Sequence, residues 1–215
     1  MNKPLSDRPN IKVLQYMYGA IPYFSWSEKI NRHYCRKHGY RYVLSRESPR
    51  GDRHITWHKV SVIIKELHDC DYLLFLDADA VFYSQELRVE SELVPLLESR
   101  DVLMAQDILS DSARPTPGLP NSGVILIRVG ECARRIFKYW DMASEIDEES
   151  RWTWPPEQLA LWRVVLPRWG DRIKVHSEYY LFQGIYGQFI RHWMNVTNPE
   201  REKLMKHFCQ RRNIE

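Results

Sequence analysis

Asp77 and Asp79 stand one residue apart at the end of an uninterrupted apolar run, Tyr72-Leu73-Leu74-Phe75-Leu76, and the chain turns apolar again at Ala80-Val81-Phe82. At ~4 Å and an effective dielectric of ~20, two such carboxylates repel by about 4 kcal/mol, which a divalent cation reverses and a shared proton only partly relieves. Carboxylate oxygens favour Mg²⁺ or Mn²⁺. An apolar run with aromatic and branched residues predicts a strand buried on both faces, whose C-terminal end opens at the crevice where α/β sheets hold ligands. If the strand persists, the two aspartates share a face; if it ends at Ala78, they clasp a ligand from a turn.

Other residues of chemical interest fall near predicted strand and helix ends. Tyr16 and Tyr18 share a face at the end of a first strand, Ile11 to Tyr18. Ser25 and Glu28 read as a capping box for a helix stopped by Gly39, and Tyr40 to Leu44 gives a second strand, completing a βαβ unit. After a polar loop from Ser45 to Arg53, the helical stripe Trp57, Val60, Ile63, Ile64 and Leu67 sends Lys59 to the start of its helix, near the sheet edge where an anion could sit.

The chain downstream of the aspartates continues the alternation of helix and strand. A helix at 91–99 is interrupted by Pro95, and a strand from Asp101 closes on Asp107, a candidate ligand for a donor or acceptor. Ser110 to Pro120 holds three prolines and a glycine and reads as an irregular loop over the site. In the strand opened by Asn121-Ser122-Gly123, Gly123 would let backbone approach a ligand closely. Next come a helix from Cys132 to Ala143 and an aromatic turn, Trp152-Thr153-Trp154, that places Glu157 and Gln158 in a helical first turn. Short strands are predicted at Arg172 to His176, Tyr179 to Phe182 and Phe189 to Val196, before a last helix from Asn198 to Lys206.

Composition narrows the function classes. The 215 residues suit one α/β domain with a sizeable core, and 44% hydrophobic against 27% charged residues is the balance of a globular chain. With 31 basic and 28 acidic residues the net charge is only +3, so nucleic acid is not an expected partner. Cys35, Cys70, Cys132 and Cys209 are widely spaced and read as buried thiols of a reducing compartment. The polar start from Met1 to Asn10 has neither signal peptide nor membrane anchor, so a cytoplasmic location is expected, and the sequon at Asn195-Val196-Thr197 reads as chance.

In order along the chain, Trp57-His58-Lys59, Leu76-Asp77-Ala78-Asp79-Ala80, Asn121-Ser122-Gly123-Val124-Ile125-Leu126-Ile127-Arg128, Pro156-Glu157-Gln158 and Met205-Lys206-His207-Phe208 resemble the landmarks of retaining GT-A glycosyltransferases, the group that includes Golgi galactosyl-, mannosyl- and xylosyltransferases. A small glycosyltransferase of the kind large DNA viruses encode resembles it too. The resemblance implies one GT-A (Rossmann-like) domain over residues 1–215, with a mixed, mostly parallel central sheet flanked by helices. It implies a UDP-sugar donor, a glycan or glycoprotein acceptor, and Mn²⁺ or Mg²⁺ as cofactor. Asp77 and Asp79 would hold the metal, with His207 as third ligand because octahedral Mn²⁺ has room for one imidazole. Asp77, Tyr16, Tyr18, Lys59, Asn121, Ser122 and Gly123 would hold the donor, and Gln158, Glu157 and Asp107 would face the reacting sugar.

The resemblance has limits. Cys209 follows His207-Phe208 without the glycine of the Golgi enzymes, and the chain stops soon afterwards, as one domain of a longer protein would. Two rival readings stand beside it: a haloacid-dehalogenase-like phosphatase using Asp77 and Asp79, which expects its acidic pair on the first strand, and a non-catalytic carbohydrate-binding domain.

Overall fold

The computed structural model describes residues 8–108, 115–178 and 180–214. Its central sheet is built from β1 (Ile11–Tyr16), β2 (Arg41–Ser45), β3 (Tyr72–Leu76), β5 (Val102–Ile108), β6 (Pro115–Arg128) and β7 (Ile173–His176), in the spatial order β2-β1-β3-β6-β5-β7. Only β6 runs against its neighbours, so this is the mixed, mostly parallel sheet that was expected. Along β3, Leu73 and Phe75 enter one core while Leu74 and Leu76 enter the other. The strand is buried on both faces, as its unbroken apolar run predicts.

Helices cover both faces: α1 (Phe24–His38), α2 (His58–Glu66), α3 (Val89–Glu92), α4 (Glu131–Ile146), α5 (Pro156–Ala160), α6 (Leu166–Trp169) and α7 (Asn198–Arg212). Gly39 ends α1 in the left-handed region at φ 75°, as predicted. The start of α1 differs from expectation: Ser25 lies inside the helix, and Glu28 pairs with Arg32 and Arg46 instead of closing a capping box. A true capping box stands at α7, where the Thr197 amide donates to the Glu200 carboxylate and the Thr197 side chain accepts from the Glu200 amide.

Several strand boundaries also differ from expectation. The apolar run that includes Asp77 does not continue as one strand: β4 (Ala80–Phe82) leaves the main sheet and pairs antiparallel with β8 (Ile190–His192). Residues 115–120, read as loop, are the first half of β6, with Pro120 opposite Gln106 and Pro115 opposite Ile108 across register shifts that accommodate prolines. Residues 110–114 of that segment lie outside the described residues. Leu181 and Phe182 sit in turns rather than a strand, Tyr179 lies outside the described residues, and only Ile190–His192 of the segment predicted from Phe189 to Val196 is extended.

Candidate active site

Two buried amides shape the turn that carries the aspartates. Gln15 of β1 donates to the carbonyl oxygens of Asp77 and Ala80, while Asn31 of α1 donates to Ala80 and accepts from the Phe82 amide. Asp77 N donates to Gly123 O, prolonging the β3–β6 ladder by one residue, and Ala80 N closes the turn on Asp77 O. The β4–β8 register sets His192 opposite Ala80, and Trp193 N donates to Asp79 O. Asp77, Asp79 and His192 thereby converge, each offering a ligand atom within 4.8 Å of the others.

Cations surround the carboxylates. Lys59 Nζ lies 2.8 Å from Asp77 Oδ1 and 3.1 Å from Glu157 Oε1, and Arg201 of α7 lies 2.9 Å from Asp79 Oδ2. His192 Nε2 is 3.1 Å from Asp79 Oδ1 and 3.9 Å from Asp77 Oδ2. Burial would raise the Asp79 pKa, but the facing His192 and Arg201 bring it down to about 2. Burial would lower those of Lys59 and His192, yet the carboxylates beside them hold both above their ordinary values. Glu157 is held below the usual carboxylate range, with the Lys59 charge overcoming burial.

A second cluster adjoins the first. Gln158 Oε1 accepts from the Ser122 amide at 2.8 Å and from its hydroxyl at 3.3 Å, and Gln158 Nε2 donates to Asp107 Oδ2 at 3.3 Å. Asn121 Nδ2 donates to Asp107 Oδ1, and the Ser122 hydroxyl donates to Glu157 Oε1. Burial pushes the Asp107 carboxyl up, with the Asn121 bond opposing. Both clusters line one cleft of about 650 Å³, which also takes in Tyr16, Tyr18, Tyr23, Ile55, Trp154 and Arg201.

The family comparison covers the first part of this arrangement. Residues 16–116 match the galactosyl transferase GMA12/MNN10 family, a stretch that includes Lys59, Asp77, Asp79 and Asp107. A glycosyltransferase involved in the glycosylation of the major capsid of PBCV-1 superposes with a TM-score of 0.76 at 18% identity, over 93% of this chain and 100% of that one. The chain has the GT-A fold of these glycosyltransferases. The galactosyltransferase LgtC, solved with donor and acceptor sugar analogues, superposes on this chain with a TM-score of 0.56 at 11% identity, over 91% of this chain and 95% of LgtC. GlyE of Streptococcus pneumoniae TIGR4 also gives 0.56 at 11%, over 95% and 64%. No curated protein sequence matches the chain. Neither the phosphatase nor the carbohydrate-binding reading is favoured beside these matches.

Of the residues singled out from sequence, Tyr16, Tyr18, Lys59, Asp77, Asp79, Asp107, Asn121, Ser122, Glu157 and Gln158 all line this cleft. His207 does not. It is exposed on α7, whose inward face is Met205, Phe208 and Cys209, so the imidazole points away from the aspartates. The imidazole beside them belongs to His192, which like His207 is followed by an aromatic residue and which alternates with Ile190 along β8. Gly123 also serves differently than expected, because a Cβ there would fall 2.0 Å from His192 Cε1. Its missing side chain makes room for that ring.

Sequence reasoning passed over Gln15, Asn31, His192 and Arg201. The signal available for the first two was a lone amide inside an otherwise apolar stripe. Two carboxylates and one imidazole suit a divalent cation of the Mn²⁺ type, and the glycine cradle under His192 fits a ring held for ligation. No described helix is long and apolar enough to cross a membrane.

Proposed function

We propose that this glycosyltransferase moves a sugar from a UDP-sugar to a glycan or glycoprotein acceptor, retaining the anomeric configuration, with Mn²⁺ held by Asp77, Asp79 and His192. The convergence of those three side chains in the cleft carries the reading. A divalent cation bound there supplies positive charge where the leaving diphosphate gathers negative charge. Lys59 fixes Asp77 and Glu157 by ion pairs, holding Glu157 ionised and opposing the burial that pushes the Asp77 carboxyl up, and Arg201, beside Asp79 in the cleft wall, offers its guanidinium to a diphosphate oxygen. Tyr16 and Tyr18, on the cleft wall at the end of β1, hold the base and ribose.

Gln158 faces the reacting sugar with its amide locked by Ser122 and Asp107, so its orientation is set before substrate arrives. Asp107 and Asn121 are placed to orient sugar hydroxyls. Trp154, 74% exposed at the cleft rim, offers an indole face to an acceptor sugar. The four free thiols are consistent with a reducing compartment such as the cytoplasm.

Equilibrium binding of UDP with and without Mn²⁺ tests the reading. Mn²⁺ should tighten UDP by about 10-fold or more, a coupling near 1.4 kcal/mol, and Asp79→Asn should abolish the gain. UDP affinity indifferent to Mn²⁺ would sink the metal role, and tighter binding of GDP would sink the choice of nucleotide.

A further inference from the structure

The His192 ring is flanked near Cε1 and at one nitrogen by residues that are not metal ligands. Near Cε1 lies Gly123 of β6, where a Cβ would come within 2.6 Å of Nδ1. At Nδ1 stands Gln183, whose Oε1 is 3.2 Å away. Gln183 is only 1% exposed, and its Nε2 has no hydrogen-bond partner among the described residues. Leaving a buried amide nitrogen unpaired costs about 1–3 kcal/mol, so the side chain is not there for its own stability. Backbone ties it in place, since His192 N donates to the carbonyl of Gly184, the next residue, at 3.2 Å.

We infer that Gln183 is a positioning residue that sets which nitrogen of His192 is free to bind a cation. A neutral imidazole carries one N–H, and a carbonyl oxygen facing Nδ1 is satisfied only if that proton is on Nδ1. Nε2 is then left with its lone pair aimed between Asp77 and Asp79. With no acceptor at Nδ1, the proton is free to sit on Nε2, where Asp79 Oδ1 is 3.1 Å away, and a proton there bars the cation. Gly123 leaves the space the ring fills and Gln183 fixes its proton. The inference rests on the proposed metal role of His192.

The test measures Mn²⁺ affinity in protein free of nucleotide, from the electron paramagnetic resonance signal of unbound Mn²⁺, for the wild type and three variants. Gln183→Leu keeps bulk but removes the acceptor, and should weaken Mn²⁺ by about 10- to 100-fold, the usual consequence of losing a partner behind a metal ligand. Gln183→Glu keeps an oxygen at Nδ1 and should stay within about 3-fold of wild type on the same reasoning. Gln183→Asn pulls the oxygen out of reach and should follow Gln183→Leu, which keeps the test open if the leucine variant does not fold. Wild-type Mn²⁺ affinity in Gln183→Leu or Gln183→Asn overturns the inference, as does an equal loss in Gln183→Glu, which would reveal a packing role. A wild-type protein that takes up no Mn²⁺ overturns the metal reading itself and this inference with it.

Discussion

Gly123 and Gln158 show how single residues divide the work between fold and reaction. Adding one methyl at Gly123 puts it 2.0 Å from His192 Cε1, and the ring has little room to retreat because Gln183 and Asp79 meet its two nitrogens. Gly123→Ala should therefore destabilise the protein by about 1–3 kcal/mol, the usual range for overpacking, as read from urea denaturation. An alanine variant within about 0.5 kcal/mol of wild type would mean the ring moves freely. On the proposed reading, Gln158 serves the reaction rather than the fold. Its amide is already committed to Ser122 and Asp107, so removing it should lower kcat by more than it raises the donor KM. If Gln158→Ala changed only the donor KM, the amide would be a binding group.

At the scale of elements, α2 carries a group whose protonation opposes the fold. His58, one residue before Lys59, is 7% exposed and packs against the Tyr16 ring at 5.0 Å, and neither of its ring nitrogens has a hydrogen-bond partner among the described residues. Burial lowers its pKa, with Glu47 acting in the other direction. The folded state therefore prefers the neutral ring. Its contribution to stability is complete above the unfolded pKa of about 6.5 and is lost as pH falls from there through the lowered folded value. His58→Phe should narrow the gap in Tm between about pH 7.5 and pH 5 relative to wild type, because phenylalanine cannot take up the proton. An unchanged gap would assign the acid sensitivity elsewhere. Most of the main sheet was legible in the sequence because its strands carry apolar local signals, above all the run from Tyr72 to Leu76. The sequence leaves open whether the strand breaks into a turn at the aspartates, since Ala80-Val81-Phe82 is as apolar as the strand before it and its distant pairing with β8 draws it out of the sheet. The strand at 115–120 was hidden for the opposite reason, as prolines signal a loop until a long partner strand is present.

Across the whole molecule, the candidate site was legible where one short stretch carried it and illegible where distant stretches meet. Asp77 and Asp79 announce themselves, but His192 and Arg201 reach them only because β8 and α7 fold back over the end of β3, and no local pattern separates His192 from the other seven histidines. That same geometry predicts how ligands act on stability. The cleft draws side chains from the end of β1, the turn after β3, β5, α5, β8 and α7, so a ligand that bridges them ties the early and late parts of the chain together. On the proposed reading Mn²⁺ and UDP each contact part of this ring, and each completes the site for the other. At about 100 times its dissociation constant, UDP with Mn²⁺ present should add about 2.7 kcal/mol, which is roughly 5–10 °C in Tm for a chain of this size. Either one alone, at the same concentrations, should give much less than the pair, and a chelator should remove the gain. Amide protons of β8 and of the first turns of α7 should exchange more slowly in the complex, because Arg201 and His192 anchor those segments to it. Shifts from Mn²⁺ and UDP that simply add, or a full shift in Asp79→Asn, would show that the two ligands do not meet at these aspartates.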